Sequence, residues 1–228
     1  MPEDLFSLRE KEIFDTLNVL KSCEFVVIGG YAVNAYALPR FSIDCDIVIK
    51  SDKELEKIEK SLLKFGYARE VIPHDAYSGR FRRYIKKLAV NFYVSMDILI
   101  ENVTDRQTGV VISADWIFDN SKISVFRGKT NLSELKLRII DIDALLVMKI
   151  ISCRATDIRD VFMMIPNAKD ISWVKKEISS RCDFKDRVGQ LIRKIESKQF
   201  KDGISGVYGY LDQKVFDKHK KATLKLLD

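Results

Sequence analysis

Apolar and polar positions change their period several times along the chain, and each change marks an element. Leu8, Ile13, Phe14, Leu17 and Leu20 recur at helical spacing and predict an amphipathic helix from Ser7 to Lys21. Val26, Val27 and Ile28 are a short β-branched run, the pattern of a buried strand. Gly29 and Gly30 close it, where the absence of a Cβ permits a sharp turn and a close backbone approach. Tyr31 to Leu38 then reads as a helix stopped by Pro39. From Ile43 to Ile49 the pattern alternates, so that Asp44 and Asp46 share one strand face while Ile43, Cys45, Ile47 and Ile49 turn to the core. Ser51 or Asp52 caps a further helix to about Phe65, with Leu55, Ile58, Leu62 and Leu63 as its stripe and Gly66 at its end.

Tyr67 to Ile72, Phe81 to Lys86 and Asn91 to Ile100 read as strands, with a loop from Pro73 to Gly79 holding His74 and Asp75. Along the third, Val94, Met96, Ile98 and Ile100 face the core and Ser95, Asp97 and Leu99 the other side. Val110 to Ile112 and Ile123 to Phe126 are short strands with Trp116 and Phe118 packed between them, and Gly128 marks a turn. Asp141 or Asp143 then caps the first of a series of helices that runs to the C-terminus. Residues 171–181, 183–198 and 212–227 are amphipathic, while Gly203, Gly206 and Gly209 suggest a flexible or tightly turned connection. This order predicts an α+β fold: a mixed-sheet core over residues 1–142 and a helical C-terminal domain over 143–228.

Composition narrows the class. The chain has 228 residues, 46% hydrophobic and 32% charged, as in ordinary globular proteins. No apolar run approaches the roughly 20 residues that span a bilayer, and the N-terminus lacks a signal peptide's apolar core. These features predict a cytoplasmic protein with no membrane partner. The net charge of +6 favours polyanionic partners, although a lysine-rich solvated surface has the same composition. Cys23, Cys45, Cys153 and Cys182 are scattered, which argues against zinc and against a disulfide framework. With only His74 and His219, a histidine-rich metal site is excluded.

Candidate chemistry concentrates in the second strand. Two carboxylates side by side repel, and a hard divalent cation such as Mg²⁺ resolves the repulsion. The helix after the glycine pair points free N–H groups and a positive dipole end at any anion there. A phosphate cradle beside a carboxylate pair suggests nucleotide chemistry. The run RFRRYIKK at 80–87 is either a phosphate-facing surface or a charged edge strand, with Arg80, Arg82 and Tyr84 on one face and Arg83 opposite. Lys149 interrupts the apolar run ALLVMKIIS and must reach water, a carboxylate or a phosphate. Arg154, Asp157 and Asp160 follow, either as a salt-bridge cluster or as site residues.

Gly29-Gly30, thirteen residues and Asp44-Cys45-Asp46 together resemble the first motif of the polymerase-β-type nucleotidyltransferases. The fuller run GGYAV…PRFSIDCDIVI is most similar to the minimal nucleotidyltransferases of the abortive-infection (type IV toxin, AbiEii-like) group, with Arg40 and Ser42 at that group's usual Arg and Ser/Thr. KIISCRATDIRD also resembles its helical half, whose Lys…Arg…Asp…Asp order Lys149, Arg154, Asp157 and Asp160 follow. The resemblance covers about residues 25–49 and 143–161, and adds Asp97 as the third carboxylate.

It implies an active enzyme that transfers a nucleoside monophosphate from an NTP to an acceptor hydroxyl. Asp44, Asp46 and Asp97 would hold two Mg²⁺ ions, Mn²⁺ being a substitute. Gly29, Gly30, Arg40, Ser42 and Lys149 would contact the nucleotide, and Asp157 and Asp160 would lie near a cleft that the helical domain completes. A tRNA 3′ end is the favoured acceptor over a protein side chain, and a toxin role would bring an antitoxin partner. Two other readings stand beside this one: a catalytically silent nucleotide- or RNA-binding module, and a sugar-nucleotide glycosyltransferase whose Asp-x-Asp holds metal. The second leaves the glycine spacing unexplained.

Overall fold

The computed structural model describes residues 4–71 and 80–227; the loop expected to hold His74 and Asp75 lies outside them. In chain order the elements are α1 (Leu5–Leu20), β1 (Val26–Val27), α2 (Gly29–Val33), β2 (Asp44–Ile49), α3 (Asp52–Lys64), β3 (Ala68–Arg69), β4 (Phe81–Ala89) and β5 (Phe92–Ile100). Then come β6 (Asn102–Thr104), β7 (Val111–Ser113), α4 (Ala114–Asp119), β8 (Ser121–Phe126) and β9 (Leu135–Ile140). Helices α5 (Ile142–Ser152), α6 (Ala155–Met164), α7 (Ile171–Ser179), α8 (Phe184–Ile195), α9 (Lys198–Tyr208) and α10 (Gln213–Leu224) complete the chain, with a short 3-10 turn at Ile165–Asn167. The fold is α+β, as the pattern predicts.

The chain divides into two compact units, one of Met1–Ala35, Phe41–Thr104 and Val111–Ile140, the other of Tyr36–Arg40, Asp105–Val110 and Asp141–Asp228. The first is built on a seven-stranded mixed sheet in the order β3-β4-β5-β2-β1-β9-β8. Strand β2 runs parallel to β5 and antiparallel to β1, and β1 runs parallel to β9. The alternation of β2 and β5 holds as read: Cys45, Ile47, Val94, Met96 and Ile98 are fully buried, while Asp44, Asp46 and Asp97 share the opposite face. Ile13, Leu17 and Leu20 of α1 and Ile58 and Leu62 of α3 supply further buried apolar surface, each side chain worth about 1.5–3 kcal/mol.

Helix α1 also buries polar side chains. The carboxylate of Glu10, with no exposure, accepts the backbone N–H groups of Lys129, Thr130 and Asn131 at 2.6–2.8 Å and the Thr130 hydroxyl at 2.8 Å. Gly128 is required beside it, because a Cβ there would stand 2.7 Å from that carboxylate.

The helical unit centres on α5, most of whose residues are buried. Asp170, Asp183 and Asp212 cap α7, α8 and α10 by accepting backbone N–H groups. Asp141 is the N-cap position of α5, whereas Asp143 accepts the N–H groups of Lys169 and Asp170 at 2.9 and 3.0 Å.

Several local expectations change. Helix α2 starts on Gly29 itself and stops at Val33, well before Pro39. Ile43 precedes the paired strand and is 68% exposed, so it leaves the core face. Gly203 and Gly206 lie inside α9 rather than in a connection; only Gly209, at φ 84°, ends it. A helix tolerates glycine at a modest cost when its other positions pack, and Phe200 and Ile204 are buried. Trp116 and Phe118 sit in helix α4, and the expected strand after Gly66 is held to Ala68 and Arg69 among the described residues.

Candidate active site

The sheet unit gathers three carboxylates. Asp46 and Asp97 stand opposite each other in the parallel β2–β5 register, and Asp44 stands opposite Ser95. One oxygen from each of Asp44, Asp46 and Asp97 can be chosen so that all lie within 4.8 Å of one another. Ser42, nearly buried, donates its hydroxyl to Asp44 Oδ1 at 3.3 Å. All three ligands are hard oxygen donors, the set that suits Mg²⁺ or Mn²⁺, and the Cys45 thiol, buried on the other face and with its pKa pushed up by burial, offers no competing soft ligand. The donor set therefore fits the ion that the sequence pattern implies.

Gly29 adjoins this trio. Its φ of 65° is a conformation that side-chain-bearing residues rarely adopt, and a Cβ on it would stand 1.9 Å from Asp46 Oδ2. The backbone of Ile28 donates to the Asp46 carbonyl at 3.0 Å, which ties the end of β1 to β2. The N-cap position of α2 is Ile28, whose apolar side chain makes no capping hydrogen bond. The glycine pair, Ser42 and the two aspartates are thus brought together within one unit.

Asp97 is the most buried of the three, at 3% exposure. Burial raises its pKa, and the Arg83 guanidinium opposes that shift. Arg83 faces Asp97 across the β4–β5 pair and holds it at two points, Nε to Oδ1 at 2.8 Å and Nη2 to Oδ2 at 2.6 Å. The basic run at 80–87 is therefore largely paired within the molecule: Arg80 meets Asp52 and Glu101, and Lys86 meets Glu12 at 2.7 Å. Neither of the two readings given to it anticipates Arg83 in the carboxylate site. The signal that could have found it is the hairpin turn, where Asn91 has a φ of 55°. Counting back from the Ala89–Phe92 pair sets Arg83 against Ile98, however, and a bulge between Lys87 and Ala89 shifts it by one residue to Asp97.

A second feature escaped the sequence reading. Arg9 of α1 is 8% exposed, donates Nε to the Tyr93 carbonyl at 3.0 Å and lies 4.2 Å from the Phe92 ring centroid. Burial lowers its pKa, while Tyr31 and Asp44 are near enough to raise it. Phe6, half exposed, stacks on Phe41 at 5.5 Å and meets Phe92 edge-on, and Lys129 Nζ lies 5.2 Å from the Phe41 ring centroid.

Within the helical unit, Arg40, Lys149, Asp157 and Asp160 also come together. Lys149 Nζ lies 2.9 Å from Asp157 Oδ1 and 2.8 Å from Asp160 Oδ2, at 6% exposure. Arg40 meets both oxygens of Asp160 at 2.8 and 2.7 Å, and the Tyr208 and Ser152 hydroxyls donate to Asp160 and Asp157. Burial alone would raise the Asp160 pKa, but Lys149 and Arg40 bring it down to about 2. The ammonium of Lys149 is taken up by carboxylates within its own unit. Arg154 stands apart from this cluster and pairs with Asp105 at 3.3 Å.

No protein-family profile matches the chain, and no curated protein matches it either. Solved structures share its fold. An inferred nucleotidyltransferase from H. pylori superposes with a TM-score of 0.52 at 14% identity, over 96% of this chain and 92% of its own. JHP933 from Helicobacter pylori gives 0.51 at 14% identity, over 98% and 92%. The enzyme ANT(2″)-Ia, solved with adenylyl-2″-tobramycin, gives 0.52 at 10% identity, over 75% and 94%. The chain thus has the nucleotidyltransferase fold. No helix among the described residues is long and apolar enough to cross a membrane.

Proposed function

We propose that the protein is a metal-dependent nucleotidyltransferase that moves a nucleoside monophosphate from an NTP to an acceptor hydroxyl. The observation that carries this reading is the convergence of Asp44, Asp46 and Asp97 beside a glycine whose missing side chain leaves room for Asp46. Bound Mg²⁺ or Mn²⁺, as one or two ions, would neutralise the trio and polarise the reacting phosphate. The first turn of α2, at Gly29 and Gly30, would direct N–H groups to the triphosphate, and Ser42 orients Asp44. Asp97, on the same face, receives the proton of the acceptor hydroxyl as its oxygen bonds to the α-phosphorus. The bond from that phosphorus to the bridging oxygen breaks, and pyrophosphate leaves with the electron pair.

To Arg40, Lys149, Asp157 and Asp160 we assign a positional role, since their charges balance one another. An RNA 3′ end is the preferred acceptor. Half-exposed Phe6, stacked on Phe41 three residues before Asp44, offers a stacking face, and Lys129 against the Phe41 ring adds positive charge. That surface suits an anionic acceptor better than a polycation such as the aminoglycoside of ANT(2″)-Ia. Membership of the abortive-infection toxin group, with its antitoxin, rests on the sequence resemblance alone.

The test is transfer of α-labelled nucleotide, each NTP in turn with Mg²⁺ or Mn²⁺, to bulk tRNA and to a cell lysate. Label on RNA with wild type and none with Asp44→Asn supports the reading. Nucleotide binding unaffected by metal or by Asp44→Asn, without transfer, would establish a silent binding module instead.

A further inference from the structure

We infer that Arg83 is a resident counter-ion of the carboxylate trio, a positioning residue that occupies Asp97 until a divalent cation displaces it toward Glu70. The inference rests on reading the trio as a metal site. Three carboxylates with ligand oxygens within 4.8 Å of one another concentrate negative charge, and Arg83 sets a positive charge against it through a two-point pair with the most buried of them. This pair engages both oxygens of Asp97, including the one it would offer to a metal.

Arg83 is built to leave. Its side chain is 37% exposed, against 5% for Asp97, so the guanidinium can rotate while the carboxylate stays put. A second acceptor already waits: Glu70 Oε2 lies 3.9 Å from Arg83 Nε, and the Glu70 N–H donates to the Arg83 carbonyl at 2.9 Å, which fixes their relative height. Glu70 is itself 43% exposed and can follow. A +1 charge that must be moved before a +2 charge enters weakens cation binding to the protein alone. The cation is therefore taken up well only with the nucleotide, whose phosphates add negative charge. The protein by itself resists sequestering metal.

The experiment is Mn²⁺ binding to the full chain without nucleotide, followed by electron paramagnetic resonance of the free ion. Arg83→Gln keeps a donor for Asp97 but removes the charge. At an effective dielectric near 20, discounted for the exposure of Arg83, it should tighten Mn²⁺ binding by about tenfold. Glu70→Gln, at a side chain 43% exposed, takes away the alternative partner and should loosen binding about threefold. Unchanged or weaker binding in Arg83→Gln, or no change in Glu70→Gln, overturns the role of Arg83 while leaving the metal site intact. If wild type binds no Mn²⁺ even with NTP present, the site reading fails, and this inference with it.

Discussion

The carboxylate of Asp46 fills the space that a side chain at Gly29 would need, with Oδ2 only 1.9 Å from the position of a Cβ. The turn after β1 and the acid of β2 are thus complementary shapes, and neither can change alone.

Gly29→Ala should therefore combine a left-handed backbone penalty of about 1–2 kcal/mol with displacement of Asp46. We expect a stability loss of about 2–3 kcal/mol in urea titrations. Nucleotide transfer should fall by at least about 100-fold, because a displacement near 1 Å at a reacting centre has that effect. Near-wild-type transfer would show that Asp46 need not hold its observed position.

Lys149→Met removes the cation that Asp157 and Asp160 share, leaving Arg40 against Asp160 and the Ser152 hydroxyl against Asp157. Breaking a buried ion pair in this way costs about 3–5 kcal/mol. Adding Asp157→Asn rebalances the charges, so the double variant should be more stable than the single one by about 1 kcal/mol or more. Thermal denaturation of the three proteins decides it; a single variant as stable as wild type would mean that the cluster is not a structural device.

His219 gives the fold a pH dependence. Its ring bonds to the Phe162 carbonyl at 2.8 Å, and burial lowers its pKa below the ordinary 6.5 despite that bond. The unfolded chain therefore protonates first as pH falls. The contribution is fully present above pH 6.5 and fades below it as the unfolded imidazole takes up a proton, until the pH is low enough to protonate the folded one too. His219→Gln should flatten the fall in melting temperature between pH 7.5 and 5 by about 2 °C. An identical slope in the variant would exclude this origin.

Gly203 and Gly206 lie within α9, and a Cβ on either meets nothing within 4 Å. Replacing each with Ala should stabilise the protein by about 0.5–1 kcal/mol without touching transfer. Destabilisation would show that the helix must bend or open there.

What the sequence displays is local. The β-branched run before Gly29, the alternation around Asp44 and Asp46 and the matching alternation around Asp97 are periodic signals carried by a few adjacent residues. They suffice to set three acids on one sheet face. What it conceals depends on partners far along the chain. Arg83 reaches Asp97 only because of a bulge, Glu10 is paid no visible signal by residues about 120 positions away, and Arg9 looks like any helix-surface arginine until its burial against Tyr93 is seen. The helix through Gly203 was hidden for a different reason: glycine propensity pointed away from helix, and the packing of Phe200 and Ile204 overrode it.

The crossing of the chain between its units has a hereditary consequence. Residues 36–40 belong with the helices, although they lie between α2 and β2 in the chain. A single recombination event near residue 140 would import a foreign set of helices yet keep the native Arg40. That arginine would then face whatever residue replaced Asp160, its partner 120 positions away. Hybrids between diverged copies of this protein should fail to fold unless both positions travel together, so a lineage can change them only in step.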